Sequence, residues 1–83
     1  MLIVDDDRAI RELLRTVLEF DGWEILEAVD GAHALALARA ENPVAVVLDV
    51  MMPAVDGFDV LDGLRKTEQG RAMTIIMLTA KSR

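Results

Sequence analysis

The stretch Val44-Ala45-Val46-Val47-Leu48-Asp49 decides the fold. Its apolar residues follow one another without alternation and end on a carboxylate. A strand with one wet face alternates apolar and polar side chains. An unbroken apolar run instead marks a strand covered on both faces, as in a parallel sheet. Parallel neighbours need crossover connections, so helical segments should flank this strand in the sequence. Upstream, residues 32–41 form an Ala-rich helical segment with Leu35 and Leu37, opened by Asp30-Gly31 and stopped by Asn42-Pro43. Downstream, residues 50–55 read as a loop fixed by Pro53, and Asp56-Gly57 opens another helix with Phe58, Leu61 and Leu64 on one side.

Further out, Leu2-Ile3-Val4 is a short run readable as a buried strand, ended by Asp5-Asp6-Asp7. Ile10, Leu13, Leu14, Val17 and Leu18 then recur at helical spacing, with Arg8, Arg11, Glu12, Arg15 and Glu19 on the other face. Asp6 or Asp7 suits the N-cap of this helix, and Asp21-Gly22 suits its end. Residues 23–28 read as a second strand, with Trp23 a packing residue. Glu68-Gln69-Gly70 reads as a turn and residues 73–78 as a fourth strand, followed by Thr79-Ala80. The order β-α-β-α-β-α-β predicts an α/β fold with right-handed crossovers.

Composition narrows the function. The 83 residues make one domain at most, and 53% of them are hydrophobic, enough for a packed core. Fifteen acids against nine bases, a net charge of −6, argue against nucleic acid as a direct partner. No cysteine is present, which excludes disulfides and thiolate chemistry. The apolar runs are far too short to cross a membrane, and residues 1–4 lack a basic leader. A cytoplasmic protein is the expectation.

The chemistry sits at strand ends. Asp5 and Asp6 follow the first strand, Asp49 closes the third, and Thr79 follows the fourth. In open parallel sheets ligands bind outside the carboxyl ends of the strands, where strand order reverses. If the first and third strands are neighbours, Asp5, Asp6 and Asp49 converge in one crevice. Clustered carboxylates repel unless a cation neutralises them. Oxygen-only ligands open to solvent suit Mg²⁺, with Mn²⁺ as a substitute. Such a site favours phosphoryl transfer, with one carboxylate as the nucleophile and an aspartyl phosphate as the product. Asp49 is best placed for that role, and Thr79 can donate its hydroxyl to a phosphoryl oxygen. His33 reads as a surface residue.

Val4-Asp5-Asp6, the stretch from Val47-Leu48-Asp49 through Val50-Met51-Met52-Pro53-Ala54-Val55-Asp56-Gly57, and Ile76-Met77-Leu78-Thr79-Ala80 together resemble the receiver domain of two-component response regulators. The resemblance runs over the whole chain in order and spacing. It implies a flavodoxin-like (CheY-like) doubly wound parallel sheet, with strand order 2-1-3-4 here and a fifth strand missing. It implies Asp49 as phosphoacceptor, and Asp5, Asp6, Asp49 and the Met51 backbone carbonyl as Mg²⁺ ligands. Thr79 would contact the phosphoryl group and act as the switch, and small Ala80 would leave that group accessible. Met51 and Lys81 fall where the family tunes phosphoryl lifetime. The implied donor is a sensor histidine kinase or a phosphotransfer protein, and the implied output is altered contact with an output domain or protein partner.

The chain also departs from the family. Receivers continue into a fourth helix, a fifth strand and a fifth helix, so residues 1–83 read as an incomplete receiver domain. The fifth strand ends in a Lys that pairs with the phosphoryl group and carries an aromatic residue that completes the switch. Lys81 is not that Lys, because it lies two residues after Thr79. Without a fifth strand the fourth is an open edge, able to pair with another chain. Two alternatives follow. One is a receiver-like interaction module or fragment that is never phosphorylated. The other is a phosphatase resembling the haloacid dehalogenases, for which Asp5 and Asp7 have the Asp-x-Asp spacing, although Ala9 stands where Thr or Val is usual.

Overall fold

A computed structural model of the chain describes residues 1–49 and 57–78. In chain order the elements are strand β1 (Leu2–Val4), helix α1 (Arg8–Phe20), β2 (Leu26–Ala28), α2 (Gly31–Glu41), β3 (Ala45–Asp49), the two helices α3 (Gly57–Arg65) and α4 (Glu68–Ala72), and β4 (Thr74–Leu78). The strands form one parallel sheet in the order β2-β1-β3-β4. This is the expected doubly wound arrangement.

Register explains the layering. Leu2, Leu26, Val46 and Ile75 lie in one row across the sheet, and Val4, Ala28, Leu48 and Met77 lie in another. Side chains alternate along a strand, so rows two residues apart share a face. Those two rows meet Ala34 and Ala38 of α2 and Val60 and Leu64 of α3 in the main core. Burying each branched side chain of that core contributes about 1.5–3 kcal/mol. The row between them, Ile3, Glu27, Val47 and Ile76, points to the opposite face, where α1 lies.

Local signals set the element ends. Asp7 is the N-cap of α1, its carboxylate accepting from the Ala9 and Ile10 N–H groups, so Asp6 is spared that task. Gly22 follows the Asp21 C-cap at φ +95°, a conformation that favours glycine. Asp30 caps α2 through the His33 N–H, and Asn42 ends it in the left-handed region. His33 is on the exposed face, as expected.

Three readings need correction. The second strand is shorter than residues 23–28: only Leu26–Ala28 pairs, because β1 offers just three residues to pair with. Residues 68–70 belong to a short helix, not a turn. Thr67 caps it through the Gly70 N–H, and Arg65 Nη1 gathers the carbonyls of Gly70, Arg71 and Met73 at 2.6, 3.1 and 3.0 Å. On α1, Leu13 and Val17 are 63% and 58% exposed, while Arg11 turns inward.

The α3–α4 junction is tight at Gly70, where an added Cβ would collide with the Leu64 carbonyl. Gly70→Ala is expected to destabilise the fold by on the order of 3 kcal/mol in urea titration, whereas exposed Gln69→Ala should stay within about 0.5 kcal/mol.

Candidate functional site

The β1–β3 pairing builds the site. Val4 is opposite Leu48, so Asp5 leaves β1 level with Asp49 at the end of β3. Asp5, Asp6 and Asp49 each offer an oxygen, and these oxygens all lie within 4.8 Å of one another. Asp5 and Asp49 are each 1% exposed, whereas Asp6 is open to solvent. Three of the sequence-predicted ligands therefore come together. Met51 and Thr79 lie outside the described residues.

The main chain fixes Asp5 from several sides. Its N–H donates to the Ala28 carbonyl at 3.2 Å, and its Oδ1 accepts the Asp7 N–H at 2.9 Å. Its carbonyl accepts from Arg11 Nη1 at 2.8 Å. Arg11 Nε in turn donates to Glu27 Oε1 at 2.9 Å, and Arg15 Nε donates to Glu27 Oε2 at 2.6 Å. Arg15 also pairs with Glu19. The sequence pattern put both arginines on the outer face of α1. Their hydrogen bonds draw them over the sheet, because Glu27 faces α1 from β2. The available signal was an acid, Glu27, in a strand that follows two arginines one helical turn apart.

Buried carboxylates cost free energy unless they are paired or coordinate a metal. The donor set is all oxygen, two groups sheltered and one wet, which fits a hard divalent cation that keeps some of its water. The N-terminal end of α1 begins beside the pocket, after the Asp7 cap, and its dipole favours negative charge there.

A parallel sheet of order 2-1-3-4, helices on both faces and an acidic pocket over the carboxyl ends of its two central strands define a doubly wound α/β protein of flavodoxin type. Over residues 1–83 the sequence matches the model of the response regulator receiver domain, and the chain belongs to that family, the signalling modules of two-component systems. It is 51% identical over 81 residues to the response regulator MprA of Mycolicibacterium vanbaalenii, an alignment covering 98% of this chain and 34% of that one. The MprA of Mycobacterium avium is 48% identical, with 35% of its length covered. The chain thus spans about a third of the curated relatives it matches. Among solved structures it resembles the chemotaxis protein CheY4 of Vibrio cholerae, with a TM-score of 0.92 and 34% identity over 99% of this chain and 68% of that one. It also resembles the receiver domain of a Pseudomonas aeruginosa sensor histidine kinase solved with a magnesium ion coordinated in its active-site cleft, with a TM-score of 0.90 and 29% identity, covering 96% and 66%. No helix among the described residues is long and apolar enough to cross a membrane.

Two outcomes follow from this electrostatic layout. Hydrogen bonding to Arg15, and secondarily to Arg11, holds the Glu27 carboxyl below its ordinary 4.5. The unfolded chain therefore binds the proton more readily. The stabilisation is complete above about pH 4.5 and is lost as pH falls through the lower folded value. Urea midpoints should drop across that acid window, and Glu27→Gln should start lower at neutral pH and fall less steeply. Separately, two charges a few ångströms apart repel by about 4 kcal/mol at an effective dielectric of 20, of which solvent and relaxation recover most. Asp49→Asn is expected to stabilise the chain in EDTA by on the order of 1 kcal/mol. A lower midpoint would show that the favourable interactions of the Asp49 carboxylate outweigh the repulsion.

Proposed function

We propose that Asp49 accepts a phosphoryl group in a phosphorylation-controlled switch, with a divalent cation, Mg²⁺ or Mn²⁺, held by Asp5, Asp6, Asp49 and the Met51 carbonyl. The observation that carries this reading is the convergence of the three aspartate oxygens within 4.8 Å at the ends of adjacent parallel strands. A related receiver domain was solved with magnesium in its cleft, which supports the choice of ion.

Each residue then has a task. Asp49 attacks phosphorus with a carboxylate oxygen, the bond from phosphorus to the donor breaks, and its electron pair returns to the donor. For a phosphohistidine donor on a sensor kinase or phosphotransfer protein, the leaving group is the imidazole. Asp5 and Asp6 would hold the cation, and burial of Asp5 and Asp49 limits competing water. The bound cation would neutralise the phosphoryl oxygens, so that the anionic nucleophile is not repelled. Thr79 donates a hydrogen bond to the phosphoryl group and shifts toward it, changing contacts with an output domain or protein partner. The setting is cytoplasmic, and residues 1–83 form part of a longer receiver domain. Among the described residues β4 ends the sheet, and its outer side serves as the edge for strand pairing, with the continuing domain or with another chain.

The phosphatase alternative is disfavoured by Asp7. Its carboxylate is committed to the N-cap of α1, so the Asp5/Asp7 pair does not act as a unit. A module that is never phosphorylated is separated by experiment. Incubating the chain with Mg²⁺ and acetyl phosphate should add one phosphoryl group by intact mass, and Asp49→Asn should abolish the gain. Beryllofluoride with Mg²⁺ should raise the unfolding midpoint. A folded sample that responds to neither reagent is an interaction module, and a mass gain that survives Asp49→Asn removes Asp49 as the acceptor.

A further inference from the structure

Arg11 sits where two structural ties meet. Its side chain is only 12% exposed, although it belongs to a helix with no fully buried residue. One nitrogen is committed to Glu27 on β2, and another donates to the main-chain carbonyl of Asp5 as the chain leaves β1. The guanidinium is planar, so fixing Nε against Glu27 also fixes the direction of Nη1. Glu27 is fixed as well, by its place opposite Ile3 in the β1–β2 register. The chain of contacts runs from the edge strand through Arg11 to the peptide that carries the Asp5 carboxylate.

We propose that Arg11, oriented by Glu27, is a positioning residue for the cation site, holding the Asp5 backbone so that its carboxylate faces those of Asp6 and Asp49. The inference rests on the cation-binding reading above. Arg11 acts through the Asp5 peptide and not on the ion. The segment it restrains is short: Asp5 leaves β1 and Asp7 already caps α1, so a small rotation of one peptide swings the Asp5 side chain. Partners that orient metal ligands in this way are commonly worth 10–100-fold in affinity.

The sign of the effect separates positioning from simple charge. A cation beside an acidic pocket opposes binding of a second cation. If Arg11 acted by charge alone, removing it would tighten Mg²⁺ binding. If it acts by holding the Asp5 peptide, removing it weakens binding. Arg15 supplies the matched control, because it pairs with the same Glu27 while its other hydrogen bonds run to Glu19 and the Ile25 carbonyl.

The test is Mg²⁺ affinity by isothermal titration calorimetry on the full 83-residue chain, with Arg11→Met, Arg11→Lys and Arg15→Met, at a temperature where circular dichroism shows each one folded. Arg11→Met should bind Mg²⁺ about tenfold more weakly. Arg11→Lys keeps the charge but loses the fork, and should fall between it and the parent. Arg15→Met should lower the urea midpoint and leave the dissociation constant within about twofold. Unchanged or tighter binding in Arg11→Met, or an equal loss in Arg15→Met, overturns the positioning role while leaving the pocket reading intact. If the parent chain itself shows no saturable Mg²⁺ binding, the pocket reading falls, and the role of Arg11 falls with it. Should Arg11→Met fail to fold, the comparison of Arg11→Lys with Arg15→Met decides the question in the same way.

Discussion

Everything at the pocket depends on the parallel pairing of β1 with β3. The strands are neighbours in space though not in sequence, and their register sets Val4 against Leu48. Two carboxylates, Asp5 and Asp49, are thereby forced to the same edge at the same height, with Asp6 beside them. A slip of one residue would turn every side chain of the strand to the opposite face and separate the acids. The apolar rows through Leu2 and Val4 prevent that slip, because it would take Leu2 and Val4, or Val46 and Leu48, out of the core built by α2 and α3. Hydrophobic register is therefore what holds like charges together against their repulsion.

That division of labour explains what could be read in advance. The unbroken apolar run before Asp49 announced a strand covered on both faces, and Ala45, Val46, Val47 and Leu48 are all buried, whereas Val44 lies before the strand and is 68% exposed. The acids at strand ends announced the pocket, because parallel topology leaves few places for them to go. Short-range polar geometry was less legible. Arg11 and Arg15 carry the composition of a solvated helix face, and only the position of Glu27 across the sheet shows why they turn inward. The pattern of residues 68–70 looked like a turn because Gly lowers helix propensity. Thr67 and Arg65 supply the caps that let one helical turn form there.

Charge is handled in two ways in the same molecule. Along α1 it is neutralised internally: Arg8 meets Glu12, Arg15 meets Glu19, and Glu27 accepts from both Arg11 and Arg15. At the strand ends three acids are gathered in one pocket. Arg11 joins the two regions, since its charge is spent on Glu27 while its second nitrogen reaches the Asp5 carbonyl. A guanidinium paired in this way can restrain the pocket without cancelling its negative field, which an unpaired one would do.

The two faces of the sheet are unequally covered, and this bears on which part of the site can move. The α2/α3 face is sealed by a continuous core. The α1 face is covered more lightly: Leu13 and Val17 stand well exposed, Phe20 is 95% exposed, and Ile76 on the same side of the sheet is 46% exposed. The central strands are insulated from that openness, because Ile3 and Val47, which face α1, are 0% and 5% exposed. Asp49, carried by β3, thus stands on a rigid support. Asp5 stands at the junction between the rigid sheet and the loosely packed helix, so the restraint that sets its direction has to come from a specific polar tie. The Asp7 N–H supplies one such tie at the carboxylate, and Arg11 supplies another at the Asp5 carbonyl.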